Sequence, residues 1–539
     1  MSHVTLSLNN AQTGLSMSNS ALVSCKTQNL DFSKLFKYQY LISRVPDPEI
    51  PMRCHSLSGW TVMAGDELPM AFLLDKSGVL FAVFLGIGVD VEGLVEGDHH
   101  VKTLSVDQDS FFTDFESWLI DVAGRYTILV SARGETRAYT DPVGMNGMVY
   151  DPSSRQIASS TLLCLNRPIE DHPSYDHSVV EQGQGKYTLF HTRDAKVRRC
   201  NPNCYIDLGD FSEHRFWPRH ETFETTDSNL AIYENLTSMT RHVIRNINAK
   251  YKTALPMSGG QDSRLLAVLA GSEIHNFDQI FTHIHNYASR IDATIASEIA
   301  KFLQVDISIS DKRTTKVSKL KARQEQAEFQ VAAGLITPQN REVELGLHHN
   351  VLEGAVVMRG HQTDLLRAVF IDRLGPKSRK NLKWQVKRLL IVPPREFSDE
   401  IYHRFLPEYE AWLDTLPETA RERSVDFMFL EIYYSSTLGV TFPALTHNFF
   451  MSPFNSRRLI ALSLSLDETY RRKSHVVNDM LLMGNPALHS IPFDYEFGGG
   501  RDLAQILDGA EMDEITAERR QSSYARMADL RATAEPSTT

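Results

Sequence analysis

The chain of 539 residues is poor in cysteine: five, at Cys25, Cys54, Cys164, Cys200 and Cys204. An odd, scattered set over that length excludes a disulfide scaffold and fits a reducing compartment. Cys200 and Cys204 form a C-x3-C pair, but no second Cys/His pair stands at finger-like spacing, so a structural zinc finger is not expected. No apolar run reaches the roughly 18 residues a membrane span needs. "MSHVTLSLNNAQTG" lacks the basic and apolar regions of a secretory signal. Excess positive charge is missing too: the net charge is -11, which gives no global pull toward nucleic acid or anionic membrane. The expectation is a cytoplasmic protein with no nucleic-acid and no membrane partner.

What is present is an ordinary globular composition, 42% hydrophobic and 23% charged, long enough for about two to four domains. Up to about residue 215 the chain reads as mostly β. "MAFLLDKSGVLFAVFLGIGV" and "GRYTILVSARGETRAYTD" are β-branched and aromatic runs broken by turn residues, with "ARGET" as a hairpin tip. Between them "DSFFTDFESWLIDVAG" has helical spacing, with Gly124 just past its end. The polar stretch "DFSEHRFWPRHETFETTDSN" reads as a linker. From Asn229 long helical patterns alternate with the short apolar runs "TALPMS", "QIFTHIH" and "AVVMRG", which predicts a parallel, doubly wound sheet. Residues 370 to 510 read as largely helical, and about 511 to 539 as charged, either a frayed helix or a disordered tail.

The densest signal is "ALPMSGGQDSRLLAVLA", Ala254 to Ala270. "TALPMS" predicts a buried strand and "SRLLAVLAG" a helix. Ser258, Gly259, Gly260, Gln261, Asp262 and Ser263 therefore form a strand-to-helix turn. Two glycines admit a close ligand, and the free N–H groups of the helix start favour phosphate. Asp262 is out of place beside a bare anion but suits a divalent cation between carboxylate and phosphates. The G-x4-G-K-[ST] pattern is absent, so this is not a Walker loop. The plain alternative is a turn with an N-cap.

S-G-G-x-D-S resembles the pyrophosphate-binding loop of the N-type ATP pyrophosphatases. Further segments, in the same order as in that family, are similar to the asparagine synthetase-like branch: "RAYTDPVGMNGMVYDPSSRQIASSTLLCL", "SRIDATIASEIAKFL", "MRGHQTDLLRAVF" and "MSPFNSRRLIALSLSLDETYRRKSHVVNDMLLMGNPALHSIP". Together they cover about residues 60 to 500. The resemblance implies an N-terminal Ntn-hydrolase-like αββα sandwich over residues 1–215. A PP-loop doubly wound α/β synthetase domain would follow over 216–510, and a tail over 511–539. It implies ATP and Mg2+ as cofactors, Asp262 and Asp364 as metal ligands, and Asp292 and Gly360 beside the nucleotide. The backbone of "FTHIH" would meet the adenine edge.

The pattern departs from the family at several positions. Ser2 stands where the glutamine-hydrolysing members carry their nucleophilic cysteine. The N-terminal domain is thus expected to keep its fold without glutaminase activity, with a substrate amine as nitrogen source. That logic resembles β-lactam synthetases and lasso-peptide cyclases. His361 stands where asparagine synthetases have Glu and β-lactam synthetases Tyr. An unperturbed imidazole there suits removal of a proton from an attacking amine, and a packed loop histidine is the alternative. Gln362 replaces the loop's second glycine, and Phe449 and Met451 replace a Glu and an Arg. Arg501 is the cation nearest the place of the family's catalytic lysine. Arg471, Arg472 and Lys473 read as a solvated helix face or a pyrophosphate contact. Glu431, Tyr433 and Tyr434 either line an acceptor pocket or form an aromatic helix face.

The expectation is an ATP-dependent, amide-forming ligase. Its substrate, small molecule or peptide, brings a carboxylate and an amine, with a precursor peptide and companion proteins as possible partners. A glutamine- or ammonia-dependent amidotransferase, a nucleotide-holding pseudo-synthetase and a nucleic-acid-modifying pyrophosphatase remain as alternatives.

Overall fold

The computed structural model describes residues 18–45, 47–315, 317–334, 340–371, 381–497 and 509–534. Three sheets organise them, and the architecture is mixed α/β. A six-stranded antiparallel sheet runs Arg198–Arg199, Val149–Asp151, Gln156–Ala158, Tyr40–Ser43, Trp60–Ala64, Arg53–Leu57. A seven-stranded sheet runs Glu213–Arg215, Cys204–Asp207, Glu135–Thr140, Ala123–Ala132, Leu80–Val89, Met70–Leu74, Gly97–His100, with only its last pair parallel.

Side-chain alternation decides how these two sheets stack. Tyr40, Ile42, Trp60 and Val62 of the first share one buried cluster with Val83, Leu85, Leu129 and Ile206 of the second. Leu41 and Met63 turn the other way, into the cluster that holds Leu22 and Cys25 of helix Ser20–Gln28 and Leu162 of helix Thr161–Cys164. Phe84 and Ile128 likewise turn toward Phe111 and Phe115 of helix Phe111–Asp121. Two sheets thus meet face to face, with helices outside both.

The expected hairpin tip at "ARGET" is present. Arg133 and Gly134, with φ of 54° and 81°, make the two-residue turn. Gly124 is not a helix stop. It lies inside strand Ala123–Ala132 opposite Gly88, and a Cβ there would sit 2.2 Å from the Ile87 carbonyl oxygen. The expected linker is partly structured, since Glu213–Arg215 is an edge strand and Phe216 and Trp217 are buried.

The third sheet is parallel, in the order Ser308–Asp311, Gln279–Ile284, Thr253–Pro256, Val356–Met358, Phe449–Met451. Both faces are covered. Leu255, Ile280 and Val356 pack with Leu265 and Ile295 of helices Gln261–Ala270 and Tyr287–Leu303, while Ala254, Phe281 and Val357 share the opposite cluster with Phe329 and Phe442. The first strand in the chain is central, so the order reverses between Thr253–Pro256 and Val356–Met358. Ligands of open α/β sheets bind at such a switch point, beyond the carboxyl ends of the strands. The three-residue strand Phe449–Met451, inside the stretch read as helical, completes the sheet.

Buried polar groups join the antiparallel sheets to the C-terminal helices. Glu431, fully buried, accepts from both terminal nitrogens of Arg215 (2.7 and 2.9 Å), from Asn201 and Asn203, and from Trp412 (2.7 Å). The C-terminal stretch, expected as a frayed helix or a disordered tail, is helical over Gly509–Ala534. Its Arg526 pairs with buried Asp479, and its Arg519 donates to the His489 carbonyl. All five cysteines are free thiols. Among the described residues no helix is long and apolar enough to cross a membrane.

Candidate functional site

The turn Ser258–Ser263 leaves strand Thr253–Pro256 at the switch point and opens helix Gln261–Ala270, whose N-cap, Gly260, makes no side-chain cap. The helix start therefore keeps backbone donors that a ten-residue dipole makes attractive to an anion. Ser258 and Ser263 hold the turn closed, with hydroxyls 2.8 Å apart and the Ser258 N–H donating to Ser263 Oγ. Behind it, the Gly259 N–H donates to Asp292 Oδ1 at 3.1 Å. Burial and the Asp494 charge push the Asp292 carboxyl up. Arg264 is fully buried and donates to the carbonyls of Gly259, Ile491 and Pro492, fixing a positive charge beneath the turn.

The second turn follows the neighbouring strand Val356–Met358. Gly360 is required by closeness: a Cβ there would stand 2.9 Å from the Asp262 carbonyl oxygen. That approach brings Asp364 to Asp262. Arg367 Nη2 donates to both carboxylates, at 2.5 Å to Asp262 and 2.8 Å to Asp364. Thr363 donates to Asp262 Oδ1 and Tyr434 donates to Asp364 Oδ2 at 2.6 Å. Asp262 is pushed well above the usual carboxylate range, first by burial and then by the Asp364 charge. Two carboxylates converging on one point are an oxygen set that Mg2+ takes, so the residues fit the ion that the sequence resemblance implies.

His361 follows Gly360, with its ring edge-on to Tyr434 and Phe442 and its Nδ1 unpartnered. Burial, with the Arg359 charge behind it, holds the imidazolium pKa down at about 3, so the ring is neutral at pH 7. This differs from an unperturbed imidazole and makes the ring a weak base as it stands.

Ser258, Gly259, Gly260, Gln261, Asp262, Ser263, Asp292, Gly360, His361 and Asp364 thus come together at one end of the parallel sheet. Arg501 and Ser2 lie outside the described residues. Arg471 is not on a solvated face: it is buried, ion-paired to Asp426 at 2.9 Å, and donates to the Leu365 carbonyl, which supports the second turn from below. Glu431 faces away, toward Arg215, whereas Tyr434 reaches the site. Sequence reasoning missed Arg367, Thr363 and Asp494. Arg367, one 3-10 turn after Asp364, was the one with a readable spacing.

No family model matches the chain, and no curated protein matches it. Among solved structures it is similar to a U34-tRNA thiolase from Methanococcus maripaludis, determined with its 4Fe–4S cluster. The identity is 13%, the match covers 39% of this chain and 78% of that one, and the TM-score is 0.19. A likeness that slight carries no argument about the site.

Proposed function

We propose that the chain is an ATP-dependent carbon–nitrogen ligase of the asparagine synthetase-like kind. It adenylates a substrate carboxylate, releases pyrophosphate, and passes the activated carbonyl to an amine. One observation carries this: the Ser258–Ser263 turn and the Asp262–Asp364 pair meet at the switch point of a parallel sheet, where an uncapped helix start faces two converging carboxylates.

The N–H groups of the helix start and the hydroxyls of Ser258 and Ser263 bind phosphate oxygens, and buried Arg264 adds fixed positive charge. Asp262 and Asp364 would hold Mg2+, whose charge would offset that of the phosphates. Thr363 and Tyr434 orient those carboxylates. Neutral His361 Nδ1 is the acceptor for the amine proton. Burial is the main cause of its low basicity, and bound phosphate beside it would offset only the lesser cause, the Arg359 charge. The face-to-face sheets around residues 40–215, with helices outside both, support the reading of an αββα, Ntn-hydrolase-like domain. Both carboxylate and amine then come from substrates held in one site, which supplies effective molarity.

A second reading has its own support. Arg367 already pairs with both carboxylates and stands where a metal ion would, as suits a protein that holds nucleotide without turnover. One assay separates them: pyrophosphate release from ATP and Mg2+ with pooled carboxylates, with and without amines, for wild type and Asp262→Ala. Substrate-dependent release lost in the variant supports the ligase. ATP binding with no release from any substrate refutes it in favour of the pseudo-synthetase.

A further inference from the structure

Three metal-ligating side chains meet away from the nucleotide turns. Glu325 lies on helix Lys319–Ala332, and His348 and His349 on the short 3-10 turn Leu347–Asn350. One ligand atom from each lies within 4.8 Å of the other two. His349 Nε2 is 2.7 Å from Glu325 Oε1, and His348 Nε2 is 3.6 Å from Glu325 Oε2. With metal–ligand bonds of about 2.0–2.2 Å, a tetrahedral edge is about 3.3–3.6 Å, which the His348–Oε2 distance already meets and the His349–Oε1 pair reaches by opening slightly.

The turn packs against the parallel sheet outside the nucleotide turns, and Asn350 donates to Thr315, which follows strand Ser308–Asp311. Gln279, first in its strand, bonds to the Asn350 carbonyl and the Leu352 N–H, and His447, ahead of strand Phe449–Met451, donates to the Val351 carbonyl. Ser258–Ser263 and Gly360–Asp364 leave the carboxyl ends of their strands.

We propose that Glu325, His348 and His349 form a site for a divalent transition ion of the zinc class. Two imidazoles and one carboxylate are the donor set zinc accepts in three-ligand sites, with the fourth position left for water or ligand. Hydrogen bonding fixes the ring that matters. His348 Nδ1 donates to the Glu342 carbonyl at 3.3 Å, so in the neutral ring its Nε2 lone pair faces Glu325. A carbonyl anchor of this kind orients metal-bound histidines. Glu325 Oε2 is buried and accepts no hydrogen bond. His349 Nε2–H donates to Oε1, and the ion takes that position as the ring proton moves to Nδ1. All three residues line one cavity of about 480 Å³, which gives the fourth position room. Bound metal would staple helix Lys319–Ala332 to the turn. The same helix already meets the N-terminal sheets' side through Lys34–Glu328 and the Gln39 bond to the Ala332 carbonyl.

The test uses the untagged full chain, stripped with chelator, and titrates Co2+ by its visible absorption with Zn2+ in competition. Wild type is expected to bind one tight equivalent with the intense bands of a four-coordinate ion. Glu325→Gln and the double variant His348→Ala/His349→Ala are expected to weaken it more than about 100-fold, beyond the ~10–100-fold of an outer-shell change. Exposed-site control His214→Ala and Asp262→Asn are expected to leave it intact, which separates this site from the nucleotide reading. Glu325→Gln keeps size and shape and tests the site even where the double variant fails to fold. Equal affinity in wild type and Glu325→Gln, or no tight equivalent in wild type, overturns the proposal.

Discussion

Replacing Arg367 with glutamine leaves Asp262 and Asp364 facing each other without their shared cation. Both carboxylates bond to one nitrogen, which sets their oxygens about 4–5 Å apart for bonds of ordinary length and spread. Two like charges at that distance repel by about 3–4 kcal/mol at an effective dielectric of about 20. The Asp262 and Asp364 side chains are 34% and 18% exposed, and solvent screening cuts this to about 1–2 kcal/mol. At about 1–2 °C per kcal/mol for a cooperative unit of roughly 300–540 residues, Tm in EDTA should fall by about 1–4 °C. Millimolar Mg2+ should restore most of it, because the ion fills the place of the lost guanidinium, while wild type should respond weakly. Adding Asp262→Asn to Arg367→Gln removes the repulsion and should restore Tm without Mg2+, a coupling of opposite sign to the single loss. Thermal unfolding of wild type, Arg367→Gln, Asp262→Asn and the double variant, each in EDTA and in Mg2+, reads this directly. Arg367→Gln as stable as wild type in EDTA, or Mg2+ stabilising both equally, would refute the reasoning.

Two further outcomes follow from buried charge. Glu431→Ala strands the Arg215 guanidinium, 9% exposed, among groups that no longer answer it, and should cost about 3–5 kcal/mol in urea unfolding; a loss under about 1 kcal/mol would contradict it. His489 is fully buried with both ring nitrogens unpartnered, and burial, then Arg519, hold its pKa near 3. Its folded value lies below the unfolded value of about 6.5, so the unfolded chain binds the extra proton, and stability falls as pH drops from about 6.5 toward 3. His489→Gln should flatten the dependence of stability on pH in that window by up to about 1.4 kcal/mol per pH unit, read from unfolding at pH 4 to 7; an unchanged slope refutes it.

Which parts of this molecule were legible in its sequence follows from what periodicity reports. A face of apolar residues records burial, so helix Asn229–Lys250, with Ile232, Leu236, Val243 and Ile247 inward, and the strands at "TALPMS" and "QIFTHIH" could be read directly. Ser258–Ser263 was legible for a second reason: glycine, serine and aspartate together punctuate a strand-to-helix turn. Charge carries no such record, because a charged side chain is solvated or buried according to what faces it. Arg471 read as solvated because it stands in a short basic run with Asp467 and Glu468 just before it; its partner Asp426 stands 45 residues earlier. Arg526 on the C-terminal helix finds Asp479 in the same way. The stretch after Asp210 read as a linker because its polar residues outnumber Phe211, Phe216, Trp217 and Phe223, the four buried aromatics that anchor it. In the site, the loop backbone and Asp262 were visible, but Arg367 and Tyr434 answer Asp364 only once Gly360 lets the two turns touch. Glu325, His348 and His349 share that origin. Their spacing suggests nothing, and the packing of one helix against one turn makes them a cluster.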